Sequence, residues 1–148
     1  DETLSFQAGC LPGFPSDCPA SGSAAERGLQ PSAQRLVRCV KAAFPQITSM
    51  GGKRSSSSST CAFSDHCIGL AVDFMIPRWR TADGNALGWR IAKWVQDHAE
   101  ELNVSYVIWD RRKWNPSAGN SWRPYTHPYG NSNPTLAHRD HVHVSVEN

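Results

Sequence analysis

The chain has 148 residues, of which 39% are hydrophobic and 19% are charged, and its formal net charge is +2. This composition is typical of a globular protein that is long enough to enclose one hydrophobic core. The basic residues are spread along the chain, which argues against a nucleic-acid-binding surface, and no apolar stretch reaches the ~20 residues that span a bilayer. We therefore expect a monomer that binds no nucleic acid and does not insert into a membrane.

The first 29 residues are rich in Gly, Pro, Ser and Ala and show little periodicity. They predict an irregular, cysteine-containing arm at 1–29, packed on a globular domain at 30–148. The chain opens with Asp1-Glu2-Thr3 and without a signal peptide, so we expect the mature form of a secreted protein.

Five cysteines in so short a chain favour an oxidising, extracellular compartment. Four of them lie in turn-rich segments, where local disulfides are expected: Cys10, Cys18, Cys61 and Cys67. We predict that Cys39 is unpaired, because it lies in a helical pattern where a free cysteine packs as a small hydrophobe.

Helical periodicity predicts two helices. The first begins at Pro31-Ser32 and extends to about Phe44, because Pro45 ends it, and the second runs over 85–102. Alternating and β-rich segments predict strands at 47–50, 70–76, 106–109 and 141–146. Because helices and strands mix without a regular strand–helix–strand order, we predict an α+β fold in which helices flank a small antiparallel sheet.

The remaining segments are predicted to be loops. The basic run Arg111-Arg112-Lys113 is interpreted as a solvated face or loop, with a contact for anionic groups of a ligand as the alternative. The loops at 55–63 and 113–135 are expected to set the shape of a pocket. Four tryptophans border loops that could wall a binding groove: Trp79, Trp109, Trp114 and Trp122.

Two segments carry the residue types of a catalytic metal site, Ser64-Asp65-His66-Cys67-Ile68-Gly69-Leu70-Ala71-Val72-Asp73 and His138-Arg139-Asp140-His141-Val142-His143. Zinc accepts imidazole nitrogen and carboxylate oxygen, and a catalytic zinc keeps one position open for water. His66, Asp73 and His143 supply three such ligands, so we expect one zinc ion. His141 shares a strand face with His143 and would point toward the same site, so one of the two can bind the metal while the other contacts substrate.

A metal peptidase also needs a base and a cation near the attacked carbonyl, for which Asp140 and Arg54 are candidates. Strand alternation turns Asp140 away from His143 unless the strand begins after it or twists there. A serine-hydrolase triad of Ser64, His66 and Asp73 is the weaker alternative, because no Gly-x-Ser-x-Gly turn surrounds the serine. The other histidines are interpreted as structural or exposed: His98, His127 and His138.

The pattern Ser64-x-His66-x-x-Gly69-x-Ala71-x-Asp73, followed by Asp140-x-x-His143, resembles the signature of the zinc D-alanyl-D-alanine peptidases. That group also includes the lysostaphin-type enzymes and the hedgehog signalling domain, and the resemblance covers about 30–146. It implies a fold of this type, the same three zinc ligands and Asp140 as the base. It also implies three contacts to substrate or transition state: Arg54 in Gly52-Lys53-Arg54, Ser64 and His141.

The resemblance implies a secreted zinc metallopeptidase that hydrolyses peptide bonds of bacterial peptidoglycan stems, either as a D-Ala-D-Ala carboxypeptidase or as a stem-peptide endopeptidase. The alternative is a catalytically inactive, zinc-stabilised binding or signalling domain of the same fold. Asp140 favours the enzyme, because a structural zinc usually closes its fourth position with a protein ligand and needs no base.

Overall fold

The computed structural model describes residues 18–55, 61 and 64–148. It shows an α+β fold in which two helices accompany a six-stranded antiparallel sheet, as the sequence predicts. The elements in chain order are α1 (Pro31–Ala43), β1 (Met50–Gly51), β2 (Ala71–Met75), α2 (Ala82–Asp97), β3 (Val104–Trp109), β4 (Arg112–Trp114), β5 (Trp122–Pro124) and β6 (His141–Val146). Short 3-10 helices occur at Ala24–Glu26, Asp65–Ile68 and Pro116–Ala118.

The strand order is β1-β2-β6-β3-β4-β5, so the last strand of the chain lies in the middle of the sheet. Every residue of β6 is buried. The strand pairs with β2 on one side and with β3 on the other, and His143 is the register partner of both Asp73 and Ile108. Backbone hydrogen bonds on both sides therefore hold β6 in one register.

The two faces of the sheet differ in chemistry, because successive strand residues point to opposite sides. One face packs against both helices through apolar side chains: Val72, Phe74, Val107, Trp109, Val142 and Val144. The other face carries Asp73, His141, His143 and Ser145, which are also buried. The helices thus cover the apolar face, and the polar face carries the candidate site.

Both predicted helices are confirmed, but both bounds of the second helix change, from the predicted 85–102 to Ala82–Asp97. The helix α2 begins after Thr81, whose Oγ1 accepts a hydrogen bond from the Gly84 N–H at 3.0 Å, and it ends at Asp97 rather than at residue 102. Leu102 is buried beyond the helix end, which explains why apolar periodicity alone extends the prediction. Gly88 permits close packing of this helix, because a Cβ there would clash with the Trp109 ring.

The strand predictions need correction in two places. The strand predicted at 47–50 forms only at Met50–Gly51, and two strands, β4 and β5, occupy part of the predicted loop at 113–135. Asp110 and Arg111 connect β3 to β4 as a two-residue turn with φ values of 47° and 63°. Such turns usually contain glycine, so this sequence lacks the customary hairpin signal. Arg111 and Arg112 are exposed, as predicted, although Arg112 belongs to β4.

Two disulfides tie the described residues together. Cys61 pairs with Cys67, as predicted for local bonds, and Cys18 pairs with Cys39. The prediction that Cys39 is unpaired is wrong, because the buried face of α1 brings its Cα within 5.2 Å of the Cα of Cys18. The predicted disulfide of Cys10 and most of the predicted arm lie outside the described residues, as do 56–60 and 62–63 of the loop predicted at 55–63. Within the described ranges, neither helix has the length and apolar character needed to cross a bilayer.

Candidate metal centre

His66, Asp73 and His143 meet on the polar face of the sheet. Asp73 and His143 come from β2 and β6, and His66 comes from the 3-10 helix that precedes β2. His66 Nε2 and His143 Nδ1 each lie 3.1 Å from Asp73 Oδ1. All three side chains are buried, and their ligand atoms lie within 4.8 Å of one another. The described part of the chain therefore contains a group that could hold a metal ion, and it consists of the three predicted ligands.

The turn before β2 positions His66. Ser64 Oγ accepts a hydrogen bond from the His66 N–H at 3.2 Å, and the Arg54 N–H donates to the His66 carbonyl at 3.1 Å. Gly69 ends this turn in the left-handed region at φ 74°, where a Cβ would lie 2.8 Å from the Gly28 carbonyl oxygen. Glycine is required at this position, and the turn directs His66 and Asp73 toward the same space.

The hydrogen bonds of His66 and His141 determine which ring nitrogen carries the hydrogen and which presents a lone pair to the centre. His66 Nδ1 lies 2.9 Å from the Gly52 carbonyl oxygen, and His141 Nδ1 lies 2.7 Å from Asp140 Oδ1. Both partners only accept, so both Nδ1 atoms carry the hydrogen. In the neutral rings, the Nε2 lone pairs of His66 and His141 then face Asp73 Oδ1, at 3.1 and 3.6 Å. Converging lone pairs and a carboxylate oxygen fit a cation, and such second-nitrogen hydrogen bonds are typical of metal-binding histidines.

The His143 ring is held by two residues that the sequence motifs do not include. Ser145 Oγ lies 2.8 Å from His143 Nε2, and the Tyr106 ring stacks on the imidazole with centroids 5.5 Å apart. The Tyr106 hydroxyl donates to Asp65 Oδ2 at 3.1 Å, and burial raises the pKa of Tyr106 to about 12. Ser145 could have been found from its position two residues after His143 on the same strand face.

The charges of the centre favour the ionised carboxylate and the neutral imidazole. Burial opposes ionisation of Asp73, but the combined interactions with His143, His66 and His141 outweigh it and hold the pKa of Asp73 well below its usual value. Burial lowers the pKa of His143, which favours the neutral ring that can bind a metal. Arg54 lies beside this group, with Nη2 3.3 Å from Asp73 Oδ2 and Nη1 3.3 Å from Ser64 Oγ.

Asp140 and His141 form a hydrogen-bonded pair at the edge of the centre. The strand β6 begins at His141, so Asp140 lies before it and strand alternation does not govern its direction. Its carboxylate accepts from His141 Nδ1 and from Thr135 Oγ1, each at 2.7 Å, and the hydrogen bond from His141 lowers the pKa of Asp140. His141 lines the open cleft beside the metal group. The imidazole is therefore the member of the pair that faces the cleft.

The cleft has a volume of about 290 Å³ and is walled by two tyrosines, Tyr106 and Tyr125. The tryptophan walls predicted from the sequence are wrong for the described lining, because Trp109 and Trp114 are buried in the core and neither Trp79 nor Trp122 reaches the cleft.

His127 and His138, interpreted from the sequence as structural or exposed, are both buried and both line the cleft. His138 donates from Nδ1 to the Leu136 carbonyl at 3.0 Å, and its ring packs 4.5 Å from that of His141. Burial lowers the pKa of His138 far below its usual value. His98 instead packs against Trp94 at the end of α2 and has a structural role, as predicted.

The chain matches the family described as VldE, C-terminal domain, over residues 25–138. The match includes His66 and Asp73 and ends before Asp140. A protein of Arthroderma benhamiae named "Uncharacterized secreted protein" is 40% identical over 67 residues, which is 36% of this chain and 27% of that protein. The chain thus spans about a quarter of the length of this relative. No solved structure matches the chain.

These similarities agree with the covalent structure of the chain. Two disulfides need an oxidising compartment, and the fungal relative is secreted, so this is an extracellular protein. Because the family match spans most of the sequence, the chain belongs to the VldE C-terminal domain family.

Proposed function

We propose that this chain is a secreted zinc peptidase that hydrolyses peptide bonds in bacterial peptidoglycan stems. The observation that carries the proposal is the convergence of His66, Asp73 and His143 beside the Asp140–His141 pair, in an open cleft. Two imidazoles and one carboxylate are a donor set that catalytic zinc sites use, with one position left for water or substrate. A purely structural zinc site would have no use for the adjacent acid–imidazole pair.

A zinc ion held by these three residues would polarise the scissile carbonyl and lower the pKa of the attacking water. His141 is suited to take the proton from that water, because its Nε2 faces the cleft and carries the lone pair of the neutral ring. Asp140 would orient the imidazole and stabilise the imidazolium that forms. The resemblance to the zinc D-alanyl-D-alanine peptidases implies that Asp140 is the base. The geometry supports a different division of roles, in which His141 takes the proton and Asp140 assists it through their hydrogen bond. The same imidazolium can then protonate the leaving amine.

Arg54 provides the positive charge that the reaction needs beside the carbonyl. Its guanidinium lines the cleft and contacts both Asp73 and Ser64, so it is held next to the metal group while part of it remains exposed. We propose that Arg54 stabilises the oxyanion and that Ser64 helps to bind the carboxylate end of the substrate.

The same proposal includes the identity of the fold, which would be that of the hedgehog domain and the D-Ala-D-Ala peptidases. It is supported by the position of the three candidate metal ligands on the sheet face opposite the helices.

The substrate class is tested by incubating the zinc-loaded protein with purified peptidoglycans of several stem types, with and without a chelator, and identifying the products by mass. Free D-Ala would identify a carboxypeptidase, and new amino termini within the stem would identify an endopeptidase. Absence of chelator-sensitive release from every wall type would contradict the proposal and favour the zinc-stabilised binding domain.

The role of the Asp140–His141 pair is tested with His141→Gln and Asp140→Asn, and with His98→Gln as a control for loss of a buried histidine away from the cleft. We expect both site variants to keep their zinc and to lose turnover by about a hundredfold or more, the usual contribution of a general base. The His98 variant should keep its turnover. Near-normal turnover in His141→Gln would show that Asp140 acts without His141.

A further inference from the structure

A second polar cavity, of about 340 Å³, lies outside the metal centre. It is formed by the segment before α2, the β3–β4 turn and the segment before β6. Its chemistry is dominated by an aromatic ring and three guanidinium groups, and the residues that matter are Trp79, Arg80, Asn85, Asp110, Arg111 and Arg139. We call this cavity the arginine pocket. Nothing in the proposed peptidase mechanism uses it.

Trp79 holds two of the three cations. The Arg80 guanidinium carbon lies 4.2 Å from the centroid of the Trp79 ring, and that of Arg139 lies 5.5 Å from it. Across the described ranges 18–55, 61 and 64–148, neither guanidinium has a carboxylate partner. Two like charges beside one ring repel each other, and cation–π attraction to the tryptophan keeps them there. An anion between them would remove the repulsion.

The positive charge of the third arginine, Arg111, is already compensated by Asp110. Arg111 Nε and Nη2 both lie 3.2 Å from Asp110 Oδ1, and Asp110 Oδ2 accepts from Asn85 Nδ2 at 3.1 Å. Three arginines and one aspartate leave the lining with a charge of +2. A guanidinium stacked on a ring keeps N–H groups at its edge, and these groups bind oxyanions through paired hydrogen bonds.

The arginine pocket and the cleft beside the candidate metal ligands share one wall. The backbone N–H groups of Asp110 and Arg111 donate to the carbonyls of His138 and Ala137, at 2.6 and 2.9 Å. His138 lines the cleft and the next residue, Arg139, lines the pocket. An extended molecule in the cleft could therefore reach the pocket by crossing this single segment.

From these contacts we propose that the arginine pocket binds an oxyanion, a carboxylate or a phosphate, on an acidic cell-surface polymer. Binding of the oxyanion rests on the geometry of the pocket alone, whereas the bacterial cell wall as the source of the polymer rests on the proposed function. The pocket would hold the polymer beside the cleft without taking part in the chemistry.

The test uses the double variant Arg80→Gln/Arg139→Gln of the full chain. The matched control is Arg90→Gln/Lys93→Gln, which also removes two exposed cations and includes one that lies near tryptophan rings, since Lys93 Nζ is 5.7 Å from the Trp89 centroid. Each variant changes the net charge equally. Binding is measured by sedimentation with polyglutamate, a carboxylate polymer, and with a glycerol-phosphate polymer, so that the two sources of the oxyanion are distinguished.

We expect the pocket variant to lose at least about tenfold in affinity for one or both polymers, as loss of hydrogen bonds to charged groups predicts, and the control to change less than twofold. Equal losses of affinity in the two variants would show that only net charge matters and would overturn the proposal. Failure of the unaltered protein to bind either polymer would also overturn it. The measurement needs no turnover, so it can be repeated in the His141→Gln background. Failure of the peptidase proposal therefore leaves this test unaffected.

Discussion

Asp73 and His143 are direct register partners across β2 and β6, and their Oδ1 and Nδ1 atoms are 3.1 Å apart. This geometry depends on strand register, because a slip of one residue would turn either side chain toward the helices. β6 is paired on both edges, so its register is held by β2 and by β3. The candidate metal centre is therefore built on a central strand whose register is fixed on both edges.

Replacing Ser145 by Ala should weaken zinc binding by about 10- to 100-fold, the usual effect of losing the partner of a ligand imidazole. The Ser145 hydroxyl forms a hydrogen bond with His143 Nε2, the ring nitrogen that is not next to Asp73, and this hydrogen bond orients the ring. Competition with a chromogenic chelator measures the affinity. Ser32→Ala is the control, because the Ser32 hydroxyl is buried without a partner in the described structure and lies away from the centre. Unchanged affinity in Ser145→Ala would contradict the positioning role.

The two disulfides should have separable effects. Cys61–Cys67 closes a six-residue separation around Ser64 and His66, whereas Cys18–Cys39 closes 21 residues between the arm and α1. Loop-closure entropy predicts that the double alanine variants lose about 2 and about 3 kcal/mol of unfolding free energy, respectively.

Only the Cys61/Cys67 variant should also bind zinc more weakly, because its loop carries a ligand. Urea unfolding and chelator competition on both double variants measure the two quantities. A decrease in zinc affinity of the same size in the Cys18/Cys39 variant would argue against this assignment.

The metal-free protein should lose stability as the pH falls below about 6.5. Burial lowers the pKa of His138 and of His143, so the folded protein keeps these rings neutral where the unfolded chain protonates them. This contribution to the unfolding free energy is fully present above pH 6.5, the pKa of a histidine in the unfolded chain. Below that pH the unfolding free energy falls by up to about 1.4 kcal/mol per pH unit for each histidine.

Urea unfolding at pH 7.5 and 5.5 in chelator measures this slope. His138→Asn should reduce it, because asparagine tolerates the left-handed backbone at φ 57° and does not titrate. An identical slope in the variant would show that His138 is not the source.

Replacing Arg111 by Gly should raise the unfolding free energy by about 1 kcal/mol, because φ of 63° is costly for a residue with a Cβ. The exposed ion pair with Asp110 that is lost contributes little. The neighbouring Arg112→Gly, within β4, should instead lower the unfolding free energy by about 0.5–1 kcal/mol. Thermal and urea unfolding of the two variants would show changes of opposite sign, and changes of the same sign would contradict the strained turn.

The amino-acid sequence by itself determined the elements that depend on local order. Helical periodicity and Pro45 define α1, and alternation defines β2 and β6. Residue type and spacing limit the candidate ligands to His66, Asp73 and one of the two histidines on the same face of β6, because few side chains bind zinc and strand alternation decides which of them share a face. The resemblance to the zinc D-alanyl-D-alanine peptidases selects His143 from that pair.

Only the tertiary structure decided the relationships between distant segments. It paired Cys39 with Cys18, formed β4 across a turn that lacks glycine, and brought His138 to the cleft. It also turned the Asp140 carboxylate onto His141. These contacts depend on how the chain returns to the sheet and on the register of its central strand. Local periodicity carries no information about either, since it describes which side a residue faces and not what lies opposite.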